Sequence, residues 1–72
     1  MKEKVIGIIA DVLGMSADEV NAAYSDSNLW DSLKKVEIVF ALEDEFGIMF
    51  EQEEIAEMKT PESIVECVEK KQ

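Results

Sequence analysis

The chain contains no histidine and no arginine, one cysteine (Cys67), one proline (Pro61) and three glycines. Each shortage removes a class of function. Without histidine, the side chain whose ordinary pKa suits proton transfer near neutrality is missing, so Ser-His and Cys-His nucleophilic catalysis are excluded. One thiolate and no imidazole cannot close a tetrahedral zinc shell, so no metal ligands are assigned. A single cysteine forbids an internal disulfide, which in so small a domain points to a reducing, cytoplasmic setting. No apolar run reaches the roughly 18 residues of a membrane span, and Met1-Lys2-Glu3-Lys4 opens unlike a signal peptide.

What is present is charge of one sign. Seventeen acids face seven lysines, a net charge of -10 over 72 residues. That balance repels nucleic acid and anionic membranes and attracts basic protein surfaces. With 47% hydrophobic residues the chain is still too apolar for a disordered acidic tail. Its length fits one domain, residues 1–72, expected as a monomer, and leaves no room for a catalytic domain.

Along the chain, Val5, Ile8, Ile9, Val12 and Leu13 take the spacing of one helical face, and Gly14 stops the helix. The stretch from Met15 to Trp30 keeps no long period and reads as a long loop pinned by Val20, Tyr24 and Leu29. Within it, Ser16 and Glu19 can form a capping box for one short turn ending at Val20. A second strong helix runs from Asp31 or Ser32 to Phe46, with Gly47 as its stop. Ile48, Met49 and Phe50 are too few to assign. A short helix over Glu51 to Met58 is anchored by Ile55 and Met58. Thr60-Pro61 then opens a last helix as N-cap and first residue, with Ile64, Val65 and Val68 inward, and Cys67 expected to be buried beside them. The expected fold is all-α: a small four-helix bundle of three principal helices plus one short helix, with a long loop between helices 1 and 2.

The second helix carries two apolar stripes. Ile38, Val39, Leu42 and Phe46 form a core face. Leu33, Val36 and Phe40 form another, edged by Glu37 and Asp44, with Glu43 between the two. Either the helix is central and packs on both sides, or the second stripe is a docking surface with an acidic rim. Both hold if Leu33 is exposed while Phe40 is half buried. From Val36 to Met58 there are eight acids and no lysine, which is either a solvated face or a field that steers a basic partner.

At the mouth of that helix stands Asp31-Ser32. The plain reading makes Asp31 the N-cap and Ser32 the first helical residue, with no chemistry. Ser32 has no base to make it a nucleophile, but a phosphate esterified there would meet unpaired N–H groups and the positive helix end. A calcium loop beginning at Asp26 is rejected, because Trp30, Asp31 and Lys34 occupy its fifth ligand, glycine and ninth positions. An enzyme working through carboxylates alone lacks a pocket to tune them.

At Asp31-Ser32-Leu33, followed by Val36-Glu37-Ile38-Val39-Phe40-Ala41-Leu42-Glu43-Asp44-Glu45-Phe46, the chain closely resembles an acyl carrier protein. That family has an Asp-Ser-Leu motif heading a helix of the form V-E-L-V-x-A-L-E-x-E-F. The likeness extends to Val5, Ile8, Ile9 and Leu13-Gly14, to Asp18-Glu19-Val20, and to Glu53-Glu54 with Met58 and Thr60. The resemblance implies a carrier, not an enzyme. Ser32 would receive 4'-phosphopantetheine from coenzyme A through a phosphopantetheinyl transferase, and the arm's thiol would hold an acyl or aminoacyl thioester. Asp31 and Leu33 would serve transferase recognition, Asp31 helping to place its metal. Leu33, Val36, Glu37, Phe40, Glu43 and Asp44 would dock loading ligases, transferases and synthases with basic surfaces. Phe46, Ile48, Ile55 and Met58 would line an acyl pocket. The alternative from the residues alone is an unmodified acidic adaptor binding a basic protein through the same helix face. Lys34 and Lys35 follow the motif where fatty-acid-synthesis carriers have an acid and a small polar residue. The loop before the motif is also shorter, and no proline precedes the third helix. These departures point away from housekeeping fatty acid biosynthesis and toward a specialised lipid, polyketide or aminoacyl pathway.

Overall fold

The computed structural model describes residues 2–71. They form five helices: α1 (Lys2–Leu13), α2 (Ala17–Ala22), α3 (Ser32–Phe46), α4 (Gln52–Glu57) and α5 (Pro61–Lys71), with no strand among the described residues. Three are substantial and α4 is the expected short one. The difference lies in the stretch expected to be a loop, which contains α2. The capping box is present: Ser16 Oγ accepts the Glu19 N–H at 3.2 Å and Glu19 Oε1 accepts the Ser16 N–H at 3.0 Å. Fully buried Val20 then fastens this short helix to the core. Six residues cannot display a helical period, which is why only the cap was visible in the sequence. The remaining loop is 23–31.

Gly14 and Gly47 end α1 and α3 in the left-handed conformation, with φ of 70° and 64°. That conformation costs a side-chain-bearing residue free energy and costs glycine none of it, and it lets the Gly47 N–H close on the Glu43 carbonyl at 2.9 Å. The start of α5 is fixed by reciprocal bonds: Thr60 Oγ1 accepts the Ser63 N–H, and Ser63 Oγ accepts the Thr60 N–H, each at 3.0 Å.

Helix α1 packs on α2, α3 and α5. Surrounded in this way, it buries Val5, Ile6, Ile9 and Ala10, while Ile8, Val12 and Leu13 are half-buried at the edge of the core. The inward face is therefore rotated from the expected one, toward Ile6. Ile38, Val39 and Leu42 of α3, Phe50, Met58, and Ile64, Val65 and Val68 of α5 complete the core. Each such side chain, fully buried, contributes about 1.5–3 kcal/mol. Cys67 is half-buried on the flank of α5, not fully inside as expected. Helix α4 buries no residue completely. It is held by half-buried Ile55, by Met58 just beyond it, and by an ion pair from Glu54 to Lys71 at 2.9 Å. No helix among the described residues is long and apolar enough to cross a membrane.

Candidate functional site

The loop 23–31 delivers the chain to α3 by a series of fixed points. The Tyr24 carbonyl accepts the Glu62 N–H at 3.1 Å, tying the loop to the first turn of α5. The Lys2 ammonium lies 4.5 Å from the centre of the Tyr24 ring. Burial, and then the negative charges of Glu62, Glu69 and Glu66, push the Tyr24 phenol up from its ordinary pKa. Asp26 Oδ1 accepts the Asn28 N–H at 2.8 Å, a local turn that uses the carboxylate internally. Among the described residues no group of three or more Cys, Asp or Glu side chains is placed to hold a metal ion.

Asp31 is the N-cap of α3. Its backbone is extended (φ -96°, ψ -175°), its Oδ1 accepts the Lys34 N–H at 2.9 Å, and its carbonyl accepts the Lys35 N–H at 3.0 Å. A capping carboxylate of this kind stabilises a helix by about 1 kcal/mol. Ser32 follows as the first helical residue, exposed, with its hydroxyl in no hydrogen bond to the described residues. The N–H groups of Ser32 and Leu33 likewise have no partner among them. Ser32 lines a shallow groove with Ser27, Trp30, Asp31, Lys35, Met58 and Lys59.

The two stripes of α3 separate cleanly. Ile38, Val39 and Leu42 are buried, whereas Leu33 is 77% exposed, Phe40 65% and Val36 46%. The second stripe is open surface and not a second packing face, and Phe40 is too exposed for the case in which both readings hold. Of the acids beside it, Glu37 and Asp44 are exposed, and Glu37 pairs with Lys34 at 3.4 Å. Glu43 is placed differently: its Oε2 accepts the Phe50 N–H at 2.9 Å, so this carboxylate braces the turn after α3. Met49 is 81% exposed, and Phe50 beside it is buried.

The charges of α3 oppose its dipole at both ends. Its first turn holds Lys34 and Lys35 and no acid, and its last turn holds Glu43, Asp44 and Glu45 and no base. Each misplaced charge costs about 0.3–1 kcal/mol. The Lys34–Glu37 pair and a Lys4–Glu45 bridge from α1 at 3.1 Å offset part of this.

The four residues named for an acyl pocket all contribute to the core or its edge. Phe46, Ile48 and Ile55 are half-buried and packed against it, and Met58 is fully buried within it. Sequence reasoning did not anticipate that Lys35 and Lys59, distant in the chain, flank the Ser32 groove, because only the fold brings residue 59 back to residue 32.

Residues 3–68 match a family model described as the phosphopantetheine attachment site. The chain is 41% identical over 71 residues to an acyl carrier protein of Petrotoga mobilis, covering 96% of this chain and 84% of that one. It is 38% identical to an acyl carrier protein of Solidesulfovibrio magneticus (96% and 91% covered) and 35% identical to one of Thermosynechococcus vestitus (96% and 88%). A match over nearly the whole chain removes the unmodified adaptor as the leading alternative. The chain belongs to the acyl carrier protein family: a carrier and not an enzyme, which bears acyl groups on covalently attached 4'-phosphopantetheine.

Proposed function

We propose that Ser32 is the attachment point and that the chain is a single-domain, monomeric, cytoplasmic carrier serving a specialised lipid, polyketide or aminoacyl pathway. The observation that carries the assignment is the exposed Ser32 hydroxyl, free of internal bonds, on the first turn of α3 beside an exposed apolar stripe. The site fits the group. A phosphodiester at Ser32 meets the open N–H groups of Ser32 and Leu33 and the positive end of the α3 dipole.

The Asp31 carboxylate caps the Lys34 N–H through Oδ1 and makes no hydrogen bond to the Ser32 hydroxyl, and the activating base is assigned to the transferase. Ser32 Oγ attacks the phosphorus of coenzyme A that bears the pantetheine. The Oγ–P bond forms, the pyrophosphate P–O bond breaks, adenosine 3',5'-bisphosphate leaves, and the serine proton passes to that base. The bound arm supplies a thiol that holds the cargo as a thioester. Asp31 holds the helix mouth in shape for the transferase, and Leu33 stands exposed next to it as a contact.

Docking falls to Leu33, Val36 and Phe40, with Glu37 and Asp44 as the acidic rim, for the transferases, loading ligases and synthases such a carrier works with. Glu43 supports this surface by fixing the turn that follows it. Phe46, Ile48, Ile55 and Met58 are the residues we assign to an acyl chain that folds into the bundle. The pathway assignment rests on Lys34 and Lys35, which set a positive patch where a basic partner of the general type would approach. Incubation with coenzyme A and a promiscuous phosphopantetheinyl transferase tests the assignment by intact mass. One phosphopantetheinyl group is expected on the wild type and none on Ser32→Ala; a gain that survives Ser32→Ala overturns it.

A further inference from the structure

Of the seven lysines, three make ion pairs: Lys4 with Glu45, Lys34 with Glu37 and Lys71 with Glu54. Lys2 lies over the Tyr24 ring. That leaves Lys35, Lys59 and Lys70 without an acidic partner among the described residues. In a chain of net charge -10, cations have many acids to choose from, so unpaired lysines that converge on one place are informative. Lys35 and Lys59 do converge: they come from α3 and from the segment after α4, and both line the groove that contains Ser32. Lys35 is also half-buried, which restricts where its ammonium can go.

We propose that Lys35 and Lys59 form a two-sided cationic clamp for the phosphodiester at Ser32 and lay the arm across the groove, over Trp30, away from the exposed stripe of Leu33, Val36 and Phe40. This rests on Ser32 as the attachment point. An anion attached at Ser32 is repelled by the acids further along α3, from Glu37 to Glu45, and attracted by the two lysines on the groove side, which outnumber Asp31, the one acid lining the groove. Both effects point the root of the arm the same way. Half-buried Trp30 gives the pantetheine an apolar surface to lie on. Lys35 and Lys59 act as positioning residues, which leaves the docking stripe uncovered until a partner draws the arm out.

The test uses the protein loaded with phosphopantetheine, the loading verified by mass. Trp30 is the single tryptophan, so its indole N–H gives one resolved signal inside the groove. Loading is expected to displace that signal, the Ser27 amide, and the phosphorus resonance of the Ser32 phosphodiester relative to the same diester in the urea-unfolded loaded protein. In Lys35→Gln/Lys59→Gln the docked population is expected to fall roughly threefold or more, the amount two exposed ion pairs supply. Salt sufficient to shorten the Debye length to about 3 Å is expected to do the same to the wild type. Lys35→Arg/Lys59→Arg retains the displacement, and Lys70→Gln, on the far end of α5, leaves it unchanged. A loaded double glutamine variant with wild-type displacements overturns the clamp while leaving the attachment intact. Failure to load at Ser32 overturns the attachment and the clamp with it.

Discussion

The Glu43 carboxylate accepts the Phe50 N–H at 2.9 Å across the turn that ends α3. They are seven positions apart in the chain, and the bond holds buried Phe50 in the core while exposed Met49 is turned outward. Among the acids of the docking face this one has a structural task. Glu43→Ala is expected to lower unfolding stability by about 1–2 kcal/mol, the range for a partly exposed hydrogen bond to a charged acceptor. Urea unfolding measures it, and a loss within a few tenths of a kcal/mol of zero contradicts the assignment.

Asp44 stands next to Glu43 with no such bond, at the unfavourable end of the α3 dipole. Asp44→Lys is therefore expected to raise stability by about 0.3–1 kcal/mol and, at low ionic strength, to slow loading by partner enzymes about threefold to tenfold. Its rate should also depend less steeply on salt than that of the wild type. Glu37→Lys should slow loading in the same way. Stability and loading moving in opposite directions separates docking from misfolding, and unchanged loading at low salt counts against the acidic rim.

The Glu54 carboxyl is held below the ordinary glutamate range, first by the Glu51 N–H and then by the Lys71 ammonium. A folded-state pKa below the unfolded one gives stability that is fully present above the unfolded pKa and is lost as pH falls through the folded value. Wild type should therefore exceed Glu54→Gln in stability at neutral pH, and the two should converge as pH falls through the carboxylate range. Urea unfolding across that range checks it. Convergence on raising the pH contradicts the ion pair to α5.

Burial, and then the charge of Glu54, pushes the Cys67 thiol up from its ordinary value. Little of it is thiolate at mildly alkaline pH, and its site on α5 is half-buried. In the loaded protein, the arm's thiol should react with a thiol reagent well ahead of Cys67. Equal rates in a timed labelling experiment contradict this placement.

These outcomes show which features a sequence can carry. The long helices were legible because their apolar positions recur and because Gly14 and Gly47 mark their ends, and the exposed stripe of Leu33, Val36 and Phe40 was legible as a surplus over one core face. Helix α2 was visible only through the Ser16–Glu19 cap, since six residues hold no period. The burial of Ile6 depended on α1 being enclosed by three helices, and the turn of Glu43 toward Phe50 depended on the path of the chain after Gly47. The meeting of Lys35 with Lys59 is tertiary and has no local signal.

The central claim is that Ser32 bears the arm, and the groove offers a direct competitor, because Ser27 lines it too. Fragmentation of the loaded wild-type protein by tandem mass spectrometry locates the phosphopantetheinyl group. The group is expected on Ser32 and on no other hydroxyl; a group found on Ser27, or on any residue outside the first turn of α3, contradicts attachment at Ser32.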